Sequence, residues 1–492
     1  MRTITTKLFA TILSILTFGG MVSCTNEMIC DYGILDIESS EQPQSPYHIP
    51  LSEALGNLES MMNEMGMDNT RALQRGRWTV QRIPMSAFKP QTRSGGETEV
   101  GDAIYVVNFD NDEGFAILSA DDRLPDDVIA VSSRGNLIDF KPYPEDGNED
   151  TLTLEDLYVP ADDDYLLGST SPDRVIGGLV TNYIIGWTDS LGGDVGGKFP
   201  NIPTIPPIDE LIYSYEYETI ENISEMLITT WHQQSPFNDY CDKRYYYKNW
   251  LGVVVSDVCS YDLDAVGKWG NKYVRVDTLA AGCVAIAMAQ ILAYNNYPSV
   301  NVVVDETNAM PWDSLVVNKY CLDSVGQARQ SHYLAKVVHS IGVGCDMKYG
   351  FWKKQSFATP TNAQRFLTRL GYANVHKCSD FDYYVVRRGL RNGCPVFVGA
   401  LGPLVSKCGH AWIIDGYQQI QQNKVGKTSL GEVVSSTPIS NSYYFHFNWG
   451  WGGSYDGWFS YNIMDNPSFS PADDYIYDRH FRIITYDKPM VE

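Results

Sequence analysis

Apolar side chains recur with two different periods along the chain, and each period predicts a different kind of element. In residues 50–66 they recur every three or four positions, which predicts a helix with Ser52 as its N-cap and Gly66 as its stop. The apolar side of this helix would consist of Leu55, Leu58, Met61, Met62 and Met65. The runs "AIYVVNF" and "GFAILSAD" flank "DNDEG" and predict a β-hairpin.

The second half of the chain carries an unusually apolar helix pattern. After a helix-like run "GGLVTNYIIGWTDSL" at residues 177–191 and a Gly- and Pro-rich stretch at 192–210, the run "LAAGCVAIAMAQIL" spans 279–292. Its large apolar residues have alanines between them, so the helix is apolar nearly all round. These residues are Val284, Ile286, Met288, Ile291 and Leu292. The pattern therefore predicts a central buried helix that begins near Cys283.

Two strands are predicted near the end of the chain. In "CGHAWIIDGY", His410, Trp412 and Ile414 alternate with Ala411 and Ile413, as expected for a short buried strand. In "YYFHFNWGWGGSYDGWF", aromatic residues alternate until a Gly-rich turn, which predicts a strand ending there. The glycines and prolines of residues 192–210 mark a domain boundary, and residues from about 220 onward have the composition of a mixed domain of helices and strands.

Length, charge and cysteine content narrow the class of protein. The chain has 492 residues, of which 44% are hydrophobic, enough for a buried core and two or more domains. A net charge of -23 argues against nucleic acid or an anionic lipid surface as a partner. The eight histidines include no HExxH and the ten cysteines no CxxC, so neither a metal nor another cofactor is predicted. We expect most cysteines to be buried thiols, with one or two disulfides.

The first 24 residues predict export. Arg2 and Lys7 precede an apolar stretch at residues 8–22 that is too short to span a bilayer. Ser23 and Cys24 then resemble the lipobox of bacterial lipoproteins, in which the cysteine is lipidated. We predict a lipoprotein of the outer membrane or cell surface, or a protein secreted after maturation, and residues 25–48 as a flexible tether. An ordinary secretory signal cleaved nearby is the alternative.

Cys283 and His410 are candidates for nucleophilic catalysis. A thiol in the first turn of a helix lies where unpaired backbone N–H groups and the helix dipole favour the thiolate. Read alone, such a cysteine is more often a small buried hydrophobe. A histidine in a buried strand about 130 residues downstream supplies the missing general base, and the order Cys then His is the one that papain-like enzymes use.

Two further groups complete this hypothesis. Asn448 is a candidate to accept the imidazole N–H, and Trp449 is a candidate to shield that hydrogen bond from water. In "TTWHQQSPFN", the side-chain amide of Gln233 or Gln234 is a candidate donor to the oxyanion, together with the backbone N–H of Cys283. The alternative for the Trp- and Gly-rich strand is a packing role alone.

Five segments together resemble streptopain-like cysteine peptidases, a bacterial branch of the papain-like fold. They are "WHQQSPFN", "AAGCVAIAMAQIL", "SIGVGCDMKYG", "GHAWIIDGY" and "FNWGWGG", and the resemblance covers about residues 220–485. It implies that Cys283 is the nucleophile, His410 the general base and acid, and Gln233 the oxyanion donor. It also implies that Asn448 and Trp449 orient or shield the histidine. The implied fold is α+β, with a central helix packed on an antiparallel sheet.

The resemblance extends to domain organisation and substrate. "IYVVNFDNDEGFAILSADDR" resembles the inhibitory propeptide of that family, which implies an α+β propeptide domain at residues 49–210 and a catalytic domain at 211–492. The implied activity is that of an endopeptidase made as a zymogen, with proteins or peptides as substrates and its own propeptide as an intramolecular inhibitor. Activation would follow cleavage near residues 192–210, and the family favours a hydrophobic side chain two residues before the scissile bond.

Three residues depart from the family pattern. The family carries a long Gly-rich loop after the Trp- and Gly-rich strand, whereas this chain has "NIMDNPSFSPADDYIYDRHF", in which Asp473 and Asp474 would favour basic residues near the cleaved bond. Cys408, two positions before His410, is not expected from the family and is either inert or a site of oxidation.

Two other functions stay open from the residues alone. The first is an amidase or transglutaminase on the same scaffold, because a Cys/His/Asn site fixes acyl transfer but leaves the acceptor open. The second is a non-catalytic lipoprotein whose propeptide-like half restrains peptidases.

Overall fold

The computed structural model describes most of the chain between residues 45 and 489. The described residues are 45–67, 73, 76–88, 101–138, 140, 142, 172–189, 212–248, 254–260, 273–298, 309–317, 326–352, 355–400, 409–428, 431–464 and 481–489. The predicted signal and its Cys24, nearly all of the tether, the boundary at 210/211, Cys408, Asp473 and Asp474 lie outside them. Those assignments stay predictions.

Within these residues the chain forms seven α-helices. They are α1 (Leu51–Glu64), α2 (Pro172–Asp189), α3 (Cys283–Asn295), α4 (Trp312–Val317), α5 (Gly326–Gly344), α6 (Pro360–Arg369) and α7 (Tyr383–Arg391). The helices predicted near residues 50–66, 177–191 and 283 are confirmed as α1, α2 and α3.

The start of α1 differs from the prediction. Pro50, not Ser52, is the N-cap, and no side chain makes a capping hydrogen bond there. The Pro50 carbonyl accepts from the N–H groups of Glu53 and Ala54, so the first turn forms two residues earlier than predicted. Leu51 is 1% exposed, and burying this side chain in the first turn replaces the capping hydrogen bond as the local stabilisation.

Sixteen strands lie in the described part of the chain. They are β1 (Trp78–Pro84), β2 (Asp102–Phe109), β3 (Phe115–Ser119), β4 (Val128–Ser132), β5 (Ile212–Ile223), β6 (Lys243–Lys248), β7 (Val254–Ser260), β8 (Tyr273–Thr278), β9 (Lys348–Trp352), β10 (Gln355–Phe357), β11 (Ala373–Cys378), β12 (Val396–Ala400), β13 (His410–Lys427), β14 (Val433–Asn448), β15 (Gly457–Ser460) and β16 (Arg482–Asp487). The predicted hairpin is confirmed as β2 and β3, which pair antiparallel.

One large antiparallel sheet runs through the molecule. Its strands follow the order β1-β2-β3-β4-β15-β14-β13-β12-β16-β11, and β5 pairs with the outer part of β13. We call the described residues up to 189 the N-terminal half and those from 212 onward the C-terminal half. The halves meet where β4 pairs with β15, in the register Ser132↔Gly457 to Ala130↔Phe459. The helices and this sheet confirm the α+β class.

The two faces of the sheet bury different cores. On one face, Ala411 and Ile413 of β13 pack with the side chains of α3, which is buried from Cys283 to Ala293. On the other face, Trp412 and Ile414 belong to a cluster that both halves of the chain share. Because the side chains of a strand alternate between faces, β13 contributes to both cores.

Polar contacts also join the two halves. Asp126, 1% exposed, lies just before β4 and accepts hydrogen bonds from Ser460 Oγ at 2.7 Å and Asn462 Nδ2 at 3.1 Å. Asp127 accepts from Tyr217 Oη at 2.8 Å and from Gln422 Nε2 at 3.1 Å. The N-terminal half is therefore attached by strand pairing, a shared apolar core and buried hydrogen bonds.

The described part of the chain contains several cysteines. Four of them, Cys241, Cys345, Cys378 and Cys394, form no disulfide, and all of these except Cys378 are buried. No helix within the described ranges is both long and apolar enough to cross a membrane.

Candidate active site

Cys283 is the first residue of the buried helix α3, as predicted. It is 2% exposed, and the helix has its N-cap at Gly282. Gly282 has φ +92°, a backbone conformation that glycine adopts without strain and other residues rarely adopt. Cys283 therefore lies in the first turn of α3, where backbone N–H groups without intrahelical partners favour a thiolate over a thiol.

The segment before Cys283 is tied to the segment that carries Gln233. The N–H of Ala281 donates to the Gln233 carbonyl at 2.9 Å, and Ser356 Oγ donates to the Ala280 carbonyl at 2.6 Å. The Gln233 side chain is 3% exposed, and its Oε1 has no hydrogen-bond partner among the described residues. Gln234 is exposed. Of the two glutamines left open by the sequence, Gln233 is the one buried beside the helix start.

His410 begins strand β13 and is fully buried. Its Nε2 lies 2.9 Å from the carbonyl oxygen of Trp449. A carbonyl oxygen only accepts, so Nε2 carries the proton and Nδ1 is the basic atom of the neutral ring. The strand is longer than predicted, because its outer part pairs with β5.

Tryptophan rings cover the imidazole of His410. The ring of Trp451 stacks on it at 4.6 Å between centroids, and Trp449 and Trp412 lie at 6.2 and 6.3 Å. The N–H of Gly452 donates to the Trp231 carbonyl at 3.1 Å, next to a bridge between His232 and Trp451. Residues 231–233 therefore lie between the turn that covers His410 and the segment that leads to Cys283.

Asn448 does not take the role predicted for it. Its Oδ1 accepts from Gln290 Nε2 at 3.0 Å, and its Nδ2 donates to the Thr229 carbonyl at 2.9 Å. The prediction that Asn448 accepts the imidazole N–H is wrong, since the carbonyl of Trp449 does so. The reason is register: Asn448 pairs with Ile413, whose side chain packs against α3, so the Asn448 side chain meets Gln290 of that helix.

Asp456 is a second polar group near the site, and it was not predicted from the sequence. Asp456 Oδ1 accepts from the N–H of Trp449 at 2.9 Å, and burial raises the pKa of Asp456 to about 7. The carbonyl of Asp456 accepts from Ser132 Oγ of the N-terminal half at 2.7 Å. Asp456 thus joins the residue that binds His410 to the strand where the two halves meet. The "GSYDGW" turn contains a single acid, which was the available signal.

His446 and Asp415 form a buried ion pair that the sequence analysis also missed. His446 Nδ1 lies 2.7 Å from Asp415 Oδ1, with His446 6% exposed and Asp415 fully buried. Burial by itself lowers the pKa of His446, but the charge and hydrogen bond of Asp415 outweigh it and raise the pKa to about 9. Asp415 Oδ2 also accepts from the N–H of Leu227 at 2.8 Å, which fixes the start of the segment leading to Gln233.

Comparison with known proteins finds similarity over the part of the chain that carries this site. The Peptidase C10 family matches residues 231–459, which include Cys283 and His410. Streptopain of Streptococcus pyogenes is 27% identical over 216 residues, or 38% of this chain and 47% of that protein, and the proteins of serotypes M3 and M18 match equally well. The chain spans about half the length of the curated relatives it matches. These similarities support a streptopain-like cysteine peptidase.

Proposed function

We propose that this protein is a cysteine endopeptidase with a papain-like catalytic domain, in which Cys283 is the nucleophile and His410 the general base. The observation that carries the proposal is the 2.9 Å contact between His410 Nε2 and the carbonyl oxygen of Trp449, from which the tautomer of His410 follows. Its Nε2–H is held by the Trp449 carbonyl, which leaves Nδ1 as the base, in a site whose thiol begins a buried helix.

The proposed reaction proceeds through an acyl-enzyme. Cys283 Sγ attacks the carbonyl carbon of the peptide bond while its proton passes to His410 Nδ1. The oxyanion accepts hydrogen bonds from the Cys283 backbone N–H and the Gln233 side-chain amide. The C–N bond then breaks, and the leaving amine takes the proton from Nδ1. Water attacks the thioester with His410 again as base, which releases the acid and restores the thiol.

We also propose that the protein is exported and made as a zymogen. Residues 1–24 would direct export, with Cys24 as a lipid anchor, and residues 49–210 would form the inhibitory propeptide. The shared sheet, core and Asp126 contacts support a tight hold of the N-terminal half on the catalytic half. Cleavage between them would fall in residues 192–210.

Hydrolysis of a denatured protein tests the activity. The chain lacking residues 1–24 should degrade denatured casein after activation under reducing conditions, and Cys283→Ala should abolish the cleavage. Cys378→Ala, which removes a half-buried thiol outside the site, should leave the rate unchanged. Release of ammonia from glutamine side-chain amides without peptide cleavage would contradict endopeptidase activity. Cleavage that persists in the Cys283→Ala variant would contradict the role of Cys283 as nucleophile.

A further inference from the structure

Gln290 is a polar residue in the middle of the apolar helix α3, and it is fully buried. Its Oε1 accepts from Thr229 Oγ1 at 2.8 Å, and its Nε2 donates to Asn448 Oδ1 at 3.0 Å. Asn448 Nδ2 donates to the Thr229 carbonyl at 2.9 Å, which closes a ring of hydrogen bonds among the three residues. A buried amide is tolerated only with its hydrogen bonds made, and this ring makes them.

Each residue of this ring belongs to a segment that carries one group of the site. Gln290 is on the helix that begins with Cys283, and Thr229 lies four positions before Gln233. Asn448 immediately precedes Trp449, whose carbonyl binds His410. The ring therefore links the three segments at a single point behind the site.

The link to His410 runs through one peptide group. The N–H of Gly450 donates to Asn448 Oδ1 at 3.3 Å, and the carbonyl of the same peptide, that of Trp449, accepts from His410 Nε2 at 2.9 Å. A peptide group is planar, so fixing its N–H side also fixes the direction of its carbonyl. Gln290 holds the Asn448 oxygen that orients this peptide.

We infer that Gln290 is a positioning residue: it sets the placement of the Trp449–Gly450 peptide, and through it of His410, relative to Cys283 and Gln233. This inference rests on the proposed function. Gln290 lies about 10 Å along the helix axis from Cys283, at 1.5 Å per residue, so it acts through Asn448 and Thr229 and not on the substrate. A misplacement of about 1 Å at a reacting group is enough to cost about 100-fold in rate.

The test replaces the amide while leaving the helix apolar. Gln290→Leu should lower kcat by 10-fold or more, with KM changed by less than about threefold. The rate of Cys283 alkylation by iodoacetamide as a function of pH should change in shape, since in the proposed site this profile reports the titration of the thiol and of its base, His410. Met288→Leu, at a fully buried position of the same helix, is the matched control and should leave both measurements unchanged.

Two further variants separate positioning from general destabilisation. Thr229→Val removes the hydroxyl donor and should lower kcat, whereas Thr229→Ser keeps the donor and should restore it. Gln290→Leu combined with Thr229→Val should lose no more than Gln290→Leu alone, because both act through one ring. Alkylation needs no peptide substrate, so it tests the inference even if casein is not cleaved. A folded Gln290→Leu protein with the kcat and alkylation profile of the original chain would overturn it.

Discussion

The buried pair of His446 and Asp415 predicts how the stability of the protein depends on pH. His446 lies on the strand that ends beside the site, and Asp415 is fully buried 2.7 Å from it. Glu225 Oε1 lies 3.5 Å from the other ring nitrogen. The perturbation is the double substitution Asp415→Asn with His446→Gln, which replaces both ionisable groups by neutral amides of similar shape.

The magnitude follows from the pKa of His446. Its pKa is about 9 in the folded protein against an ordinary 6.5, a difference worth about 3 kcal/mol of unfolding free energy at 1.36 kcal/mol per pH unit. Because the folded-state pKa is raised, this contribution is fully present below pH 6.5 and is lost as pH rises through 9. Between these values the folded state binds more protons than the unfolded state, so stability falls with increasing pH.

Urea denaturation between pH 6 and pH 10 measures this effect, with tryptophan fluorescence as the signal. Both proteins carry Cys283→Ala, which removes the proposed nucleophile. Across this pH range, the free energy of unfolding of the protein that keeps His446 and Asp415 should fall by about 3 kcal/mol more than that of the double variant. Parallel curves for the two proteins would refute the reasoning, since they would mean that His446 does not gain its proton on folding.

Three further predictions concern the site and the contact between the halves. Gln233→Ala should lower kcat by about 100-fold or more, as loss of an oxyanion donor does, and unchanged kcat would exclude that role. Asp456→Asn keeps an acceptor for the Trp449 N–H and should retain most of the activity, whereas Asp456→Ala should lower the activity by at least about tenfold. Equal rates of hydrolysis by the two variants would contradict a role for this contact. Gly457→Ala places a Cβ 2.3 Å from the Val131 carbonyl oxygen and should weaken the pairing of β4 with β15. After cleavage between residues 192 and 210, the two halves of this variant should therefore separate more readily on size exclusion. Co-elution of the halves to the same extent as in the original chain would count against this prediction.

Local patterns were enough to predict the helix of Cys283 and the hairpin of β2 and β3. An apolar run bounded by glycine, and two alternating runs around a short turn, depend on neighbouring residues alone. The burial of His410 followed from the same alternation. The helix and the buried strand carry Cys283 and His410.

Features that depend on pairing between distant segments were not predictable in this way. Asn448 faces Gln290 because it pairs with Ile413 across two strands, a register that no local pattern encodes. The pairing of β4 with β15, which joins both halves in one sheet, is of the same kind. Gln290 could have been singled out from the sequence, because it is a polar residue within an apolar helix. A polar side chain that is buried there needs buried hydrogen-bond partners.

Labelling of the thiol tests the central claim most directly. The chain lacking residues 1–24 is treated with an epoxide inhibitor of cysteine peptidases under reducing conditions, before and after limited trypsin treatment, and analysed by intact mass and peptide mapping. We expect one adduct, on Cys283, together with loss of casein hydrolysis, and no adduct in a His410→Ala variant. Undiminished casein hydrolysis after inhibitor treatment with Cys283 unlabelled would contradict Cys283 as the nucleophile. Equal labelling of Cys378 and Cys283 would also contradict it.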